Sequence, residues 1–405
     1  MDTVTRRRFL LASGIVGATA IAGGAAAYAW KDIFATAGQA QAGQRTLVLV
    51  TLYGGNDGLA NVIPFGDGAY HDARGSLAYT GDQVLRLDGA TGLNPALKGL
   101  KALYDGKKLA VLRGVGYPKP DRSHFRSMDI WQTADPVRPR NTGWLGRWLD
   151  TAGGDPRLGI SLEPVLPPLL AGERSAGAAV PLTGVAVPKA ITPAVLSGFA
   201  KPAPGESPFQ ARAAACFADL TSVDNMITEV READDDDQGD EPATATGGSA
   251  ASLKAQLAMV AQCIGAKVAT RVFSVSQGGF DFHAGEKASQ EVVLKLVDTA
   301  VADFLKKAGD DVVVMIYSEF GRRVRANASD GTDHGTASNI FLAGTPVRGG
   351  RLVGDQPSLS DLDDGDLKYH TDFRDVYAAV LADVLNTDPG AVLPGWTGRM
   401  DGLFA

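Results

Sequence analysis

Five runs of mostly apolar residues recur along the chain, and each has the length of one strand. They cover residues 46–54, 108–117, 271–279, 311–321 and 339–344. Continuous apolar runs are typical of strands that are buried on both faces of a sheet. Helical patterns separate several of these runs, at residues 95–106, 123–134, 252–266 and 288–309. The alternation predicts a three-layer α/β/α fold with a mostly parallel, doubly wound sheet between helices.

The amino terminus carries an export pattern. Residues 5–9 read TRRRF, and a glycine- and alanine-rich apolar stretch follows to about Tyr28, which is typical of a twin-arginine signal peptide. A membrane anchor needs ~20 strongly apolar residues, and glycines dilute this run. We therefore predict a signal peptide over residues 1–42, recognition by the Tat translocase, and a periplasmic or secreted protein. Cleavage after Ala37 or Ala42 fits the small-residue rule, whereas an uncleaved signal predicts a membrane tether.

The rest of the chain, residues 43–405, is predicted to form one large α/β domain. Residues 155–250 differ in composition from the rest, since they are first rich in Pro, Ala and Gly and then acidic. We interpret them as an insertion or cap that includes an acidic, mobile loop at residues 232–250. The two cysteines, Cys216 and Cys263, form a disulfide or remain free, because spacing in the sequence does not fix their distance.

Charge narrows the classes of partner. The chain carries a net charge of -7, and loss of residues 1–42, with four basic and two acidic side chains, would bring it to -9. No basic stripe offsets this charge, so nucleic-acid binding is not expected. An anionic substrate would need local cations, which bound metal ions would supply.

Two Asp-His pairs stand in glycine-flanked segments. The GTDHG turn at residues 331–335 contains Asp333 and His334, and QGGFDFHAG contains Asp281 and His283. Glycines allow the sharp turn that brings neighbouring side chains to one ion, and alternate residues of an extended segment point the same way. Such ligands suit Zn, Mn or, with extra oxygens, Ca. The alternative is an Asp that caps a helix and a surface His.

Asp57, in GGNDG directly after the first apolar run, is a further candidate metal ligand. Ligand sites of such sheets collect beyond the carboxyl ends of strands. A strand-end Asp also caps turns and helices, which is the alternative here.

Ser123, His124 and Arg126 lie where a predicted helix begins, in RSHFR. A hydroxyl at this position is either a helix N-cap or a nucleophile, because the helix end stabilises an anion. We interpret Ser123 as a candidate nucleophile, and His124 and Arg126 as candidates that hold the anionic group or a leaving oxygen.

The motifs GGNDG, RSHFRSMDIWQTA, TGWLGRW, QGGFDFHAG, SEFGRR and GTDHGTA together resemble the domain-of-unknown-function 1501 family of Tat-exported bacterial proteins. That family is grouped with the alkaline phosphatase and sulfatase superfamily. The resemblance implies an alkaline-phosphatase-like α/β/α core, divalent metals, and phosphate or sulfate ester chemistry. It also implies that Asp57, Asp333 and His334 are metal ligands and that Ser123 is the nucleophile. The sequence departs from the sulfatase signature in this segment, because RSHFR has no proline after Ser123.

The leading hypothesis from the sequence is thus an exported metal-dependent hydrolase that acts on anionic phosphate or sulfate esters. Two alternatives stand beside it. One is a non-catalytic periplasmic or cell-surface binding protein that retains the fold. The other is a metal-dependent mutase or transferase that uses the same site.

Overall fold

The strand at Thr46–Leu52, β1, lies within the central sheet of the protein. The structure is a computed structural model that describes residues 30–138, 140–182, 249 and 251–405. Alternate side chains of β1 enter two separate cores. Val48 and Val50 join the core on one face, and Leu47 and Leu49 join the core on the other. This burial on both faces is what the continuous apolar runs predict.

The strands after β1 are β2 (Val62–Ile63), β3 (Leu85–Arg86), β4 (Gly92–Leu93), β5 (Leu109–Gly116), β6 (Gly159–Ser161), β7 (Ala178–Ala179), β8 (Val272–Gln277), β9 (Val312–Tyr317), β10 (Ser338–Ala343), β11 (Arg351–Val353), β12 (Leu362–Asp363), β13 (Asp366–Leu367) and β14 (Thr371–Asp372). Nine strands of the described residues form the central sheet, in the order β11-β5-β10-β9-β1-β8-β6-β7, with β14 paired to the end of β5. Within this sheet β10 alone runs antiparallel to its neighbours. The carboxyl ends of β1, β5, β8 and β9 and the amino end of β10 therefore meet at one edge.

Helices cover both faces of the sheet. They are α1 (Trp30–Phe34), α2 (Gly58–Asn61), α3 (Gly68–Arg74), α4 (Lys98–Asp105), α5 (His124–Thr133), α6 (Trp144–Thr151), α7 (Leu253–Gly265), α8 (Glu286–Lys307), α9 (Phe373–Asp383) and α10 (Pro389–Val392). Apolar residues of α4, α7 and α8 enter one core, and those of α5, α6 and α9 enter the other. The predicted three-layer α/β/α fold with a largely parallel sheet is confirmed. Within the described ranges, every helix is too short or too polar to cross a membrane.

The predicted insertion or cap at residues 155–250 overlaps the central sheet. Strands β6 and β7 fall inside it, yet Ile160 pairs with Phe273 of β8, so this part extends the central sheet. Runs of three and two residues are too short to give a strand pattern. The rest of the predicted insertion, residues 183–248, lies outside the described residues and includes Cys216, while Cys263 is buried in the core.

The segment before β1 packs onto the body of the domain. Trp30 and Ile33 are 0% exposed and belong to the core that also contains α7 and α8. The backbone N–H of Gly38 donates to the carbonyl of Ala266 at the end of α7. Part of the predicted signal peptide, residues 30–42, thus contributes buried side chains, while residues 1–29 lie outside the described residues.

Candidate metal centre

Four polar side chains from three loops meet at the edge where the parallel strands end. His124 is the first residue of α5, which follows β5, and Asp281 and His283 follow β8. His334 precedes β10. Because β10 is antiparallel, its amino end lies beside the carboxyl ends of its neighbours, which brings His334 to the same edge.

The ring nitrogens of these residues are within contact distance of one another. His334 Nε2 lies 3.1 Å from His124 Nε2, 3.1 Å from His283 Nε2 and 3.2 Å from Asp281 Oδ1. Asp281 also reaches His283 Nε2 at 3.1 Å and His124 Nε2 at 3.5 Å. Four ligands at ~2.1 Å from a tetrahedral ion lie ~3.4 Å apart. The spacing of most of these atoms is therefore that of ligands around a metal ion.

The other ring nitrogens fix the orientation of two imidazoles. His124 Nδ1 lies 2.8 Å from Glu319 Oε1, and His334 Nδ1 lies 2.8 Å from the carbonyl oxygen of Arg122. Carbonyl and ionised carboxylate oxygens only accept hydrogen bonds, so we assign the N–H of both rings to Nδ1. Each Nε2 then carries a lone pair that faces the cluster. A metal-ligating His donates its other N–H in this way to a carboxylate or a backbone carbonyl.

The convergence of lone pairs is repulsive unless a proton or a metal cation lies between them. Burial, together with the charges of His124 and Arg322, lowers the pKa of His334 and so favours its neutral form. Burial opposes ionisation of Asp281, but hydrogen bonding and charge from Arg322 outweigh it and lower the pKa of that carboxyl. Imidazole nitrogens around a carboxylate are the donor set of a divalent metal. The residues present therefore fit such an ion.

Asp333 contacts the cluster through the outer ring nitrogen of His283. Its Oδ1 lies 3.2 Å from His283 Nδ1 and 3.5 Å from Asn327 Nδ2. His124, Asp281 and His334 form the group of described residues whose potential ligand atoms all lie within 4.8 Å of one another. His283 lies close to Asp281 and His334 of this group, and Asp333 orients its ring through Nδ1.

Arg322 holds the loops around the cluster together. Its buried guanidinium donates to Asp281 Oδ1 at 2.6 Å and to four backbone carbonyls. These carbonyls belong to Gly54, Gly55, Phe280 and Thr332. Arg323 also binds the protein itself, since it reaches Asp364 and Asp366.

Asp57 lies after β1 as predicted, but its carboxylate is engaged elsewhere. It forms a buried ion pair with Arg74 of α3, and Asp57 Oδ1 also accepts from the N–H of Leu59 and so caps α2. Burial and the neighbouring Asp57 charge raise the pKa of Glu286, which contacts the same carboxylate. A guanidinium thus neutralises Asp57, which lies outside the group of possible ligands among the described residues.

Ser123 and Arg126 flank the cluster without entering the described contacts. Ser123 is exposed at the N-cap position of α5, and its side chain makes no capping hydrogen bond. Its backbone N–H donates to Asp121 Oδ1 at 2.8 Å. Arg126 forms an ion pair with Asp129 one turn further along α5.

Of the five predicted ligands, the structure brings Asp281, His283 and His334 together. It places Asp333 behind His283 and pairs Asp57 with Arg74. The sequence analysis assigns His124 to the substrate, because His124 adjoins Ser123 in the chain, and Glu319, which anchors His124, is not among its candidates. A search for a hydrogen-bond acceptor of each candidate His Nδ1 would have pointed to Glu319. Such an acceptor is brought close by tertiary contacts, so the sequence alone does not reveal it.

The chain belongs to the family described as "Protein of unknown function (DUF1501)", whose model matches residues 175–403, more than half of the chain. The predicted family is confirmed. The sequence has no significant match among curated proteins.

Several solved structures have a similar chain trace. A protein in the alkaline phosphatase superfamily from Vibrio parahaemolyticus has 11% sequence identity and a TM-score of 0.36, and the alignment covers 78% of this chain and 64% of that one. The phosphonate monoester hydrolase of Silicibacter pomeroyi has 11% identity and a TM-score of 0.38, with 88% and 76% covered. The C-terminal periplasmic domain of EcEptC from Escherichia coli, in complex with Zn, has 10% identity and a TM-score of 0.34, with 76% and 75% covered.

Proposed function

We propose that this protein is a metal-dependent hydrolase of phosphate or sulfate esters, with a divalent ion held by His124, Asp281, His283 and His334. The observation that carries the proposal is the inward orientation of the imidazole Nε2 atoms around one carboxylate, with each Nδ1 tied to an acceptor. Nitrogen-rich ligand sets favour Zn over Mg or Ca. When bound, the ion would polarise the phosphoryl or sulfuryl group and neutralise its charge.

We assign the attack to Ser123. Its hydroxyl is exposed, free of a capping bond, and adjacent in the chain to His124. It also precedes the N-terminus of α5, a helix of ten residues, where free N–H groups stabilise an anion. The Ser123 oxygen bonds to phosphorus or sulfur, the bond to the ester oxygen breaks, the alcohol leaves with a proton from solvent, and the serine proton passes to solvent. Water then releases the phosphate or sulfate and restores the hydroxyl.

Ser123→Ala tests the assignment. We expect it to keep bound metal and thermal stability while it removes most turnover of phosphate or sulfate monoesters, because only the covalent step is lost. Ser252→Ala is the matched control, since Ser252 Oγ caps α7 by accepting from Ala255 N–H at 3.2 Å. This control should lose about 1 kcal/mol of stability and keep its activity.

Other results would count against parts of the proposal. Full turnover by Ser123→Ala would assign the attack to water. A wild-type protein that binds metal but turns over no ester in a broad screen would favour the alternative of a binding protein.

Export through the twin-arginine route remains part of the proposal. It predicts that Arg6→Lys combined with Arg7→Lys abolishes export of the folded protein, because the paired arginines are the recognised feature. Normal amounts of exported protein in cell fractions of this variant would assign a different route.

A further inference from the structure

A cavity of about 420 Å³ lies next to the imidazole cluster. Four aromatic residues line it, Tyr117, Trp131, Phe320 and Tyr369. Its charged lining residues are Lys119, Lys368 and Asp363, so positive charge exceeds negative charge by one. This volume is within the range of small-molecule sites, which combine apolar walls with a few polar groups.

The cavity and the candidate metal centre share one neighbour, the ring of Phe320. Its centroid lies 4.9 Å from that of His124 and 5.0 Å from that of His334, and Phe320 also lines the cavity. Thr336, another lining residue, is two residues after His334. The cavity therefore lies next to the imidazole cluster, with Phe320 in contact with both.

Arg122 connects two loops of the metal centre to one wall of the cavity. The carbonyl of Arg122 accepts from His334, and the guanidinium of Arg122 donates to the buried Asp366 of β13. The next residues, Leu367 and Lys368, line the cavity. This wall is consequently fixed relative to the imidazole that it neighbours.

Lys119 is the distinctive polar residue of the cavity. Its φ is +54°, a value that residues other than glycine rarely adopt. It also precedes Pro120, and a proline disfavours the helical region for the residue before it. Lys368 pairs with Asp361, whereas Lys119 has no ion pair within the part of the chain that the structure describes. Its charge is available to a ligand.

We infer that this cavity binds the alcohol part of the ester, and that this part is an aromatic ring with a second anionic group that Lys119 recognises. The inference rests on the proposed function. Aromatic walls favour a flat ring through stacking and edge contacts, and an ammonium without a partner favours a carboxylate or similar anion. The substrate class is thus a phosphate or sulfate monoester of an acidic phenol.

Binding of the product alcohol tests this without turnover. The probes are 4-hydroxybenzoate and its uncharged isostere 4-hydroxybenzamide, measured by calorimetry on the full protein. We expect the benzoate to bind about tenfold more tightly than the amide, and Lys119→Ala to remove this difference. Tyr369→Ala, at a wall residue that is 37% exposed, should weaken both probes severalfold without loss of the fold.

Lys267→Ala is the matched control. Lys267 is also exposed and also has a positive φ, of +53°, but it lies at the opposite edge of the sheet between α7 and the amino end of β8. It should leave both affinities unchanged. A benzoate preference that persists in Lys119→Ala, or a wild-type protein that binds neither probe, would overturn the inference.

Binding measurements and hydrolysis assays together separate the two proposals. The predicted binding pattern in a protein that hydrolyses no ester would contradict the proposed function and support the subsite. Hydrolysis of alkyl and carboxylated aryl monoesters with equal kcat/KM, unaffected by Lys119→Ala, would support the function and overturn the subsite.

Discussion

His334 Nδ1 lies 2.8 Å from the carbonyl oxygen of Arg122. A carbonyl has no proton to give, so this contact fixes the N–H of the imidazole on Nδ1 and leaves Nε2 as an acceptor. The same Nε2 lies within 3.2 Å of Asp281 and of two other imidazoles. One backbone carbonyl thereby directs the Nε2 acceptor of His334 into the cluster.

Glu319→Gln is expected to weaken metal binding about 10- to 100-fold, because Glu319 orients the His124 ring through Nδ1. Competition with a chelator at pH 7.5 measures the affinity. Glu163→Gln is the control, since Glu163 is another buried glutamate after a strand of the same sheet but lies outside the cluster. Equal affinities of both variants would show that Glu319 has no role in positioning His124.

Arg322→Lys is expected to destabilise the protein by about 3–5 kcal/mol, because it leaves at least two of the five acceptors of the guanidinium without a donor, at ~1–3 kcal/mol each. A lysine cannot satisfy four carbonyls and Asp281 in one plane as the guanidinium does. Urea unfolding measures the loss. The conservative control Arg126→Lys affects a partly exposed ion pair between neighbouring turns of one helix and should change stability by less than about 1 kcal/mol. A similar, small change in both variants would contradict the bridging role of Arg322.

Glu163 predicts a pH dependence of stability. Burial raises the pKa of Glu163 to about 7, against the opposing hydrogen bonds of Ser276 and Tyr53. The folded state therefore binds the proton more tightly than the unfolded state. The stabilisation is complete below the unfolded pKa of about 4.5 and is lost as the pH rises through about 7, a change of roughly 3 kcal/mol.

Glu163→Gln removes this titration. Metal-free variant protein should lose less stability between pH 5 and pH 8 than metal-free wild-type protein does. Parallel stability curves over this range would mean that the carboxyl ionises at an ordinary pH in the fold.

Trp30→Ala tests whether residues 30–42 belong to the exported protein. Trp30 is fully buried, so its loss should cost about 3–5 kcal/mol in urea unfolding of purified exported protein. Gln39→Ala, at an exposed position in the same segment, should have no effect. If the signal peptide is cleaved after Ala37 or Ala42, the purified Trp30→Ala protein is identical to the wild type and shows no change.

The five principal strands could be predicted because each is a continuous apolar run. The short strands β6 and β7 could not, since the pairing of β6 with β8 and of β7 with β6, rather than their own composition, makes them strands. Local pattern therefore predicts the layers of the fold but not the full width of the sheet.

Within the candidate site, the predictable part is local as well. Asp281 and His283 alternate in one segment, and their convergence follows from that spacing. The pairing of Asp57 with Arg74 depends on how α3 packs against the loop after β1, so the strand-end position alone suggests a metal ligand. The orientation of His124 depends in the same way on Glu319, which is 195 residues distant in the chain.

The metal content of the purified protein tests the central claim most directly. Wild-type protein, dialysed and measured by inductively coupled plasma mass spectrometry, should contain about one equivalent or more of a divalent transition metal, with Zn favoured by the imidazole ligands. His334→Ala should lose this metal, because His334 contacts every other member of the cluster, whereas His71→Ala should retain it. Metal-free wild-type protein that also fails to bind added Zn or Mn, or equal metal content in His334→Ala, would contradict the account.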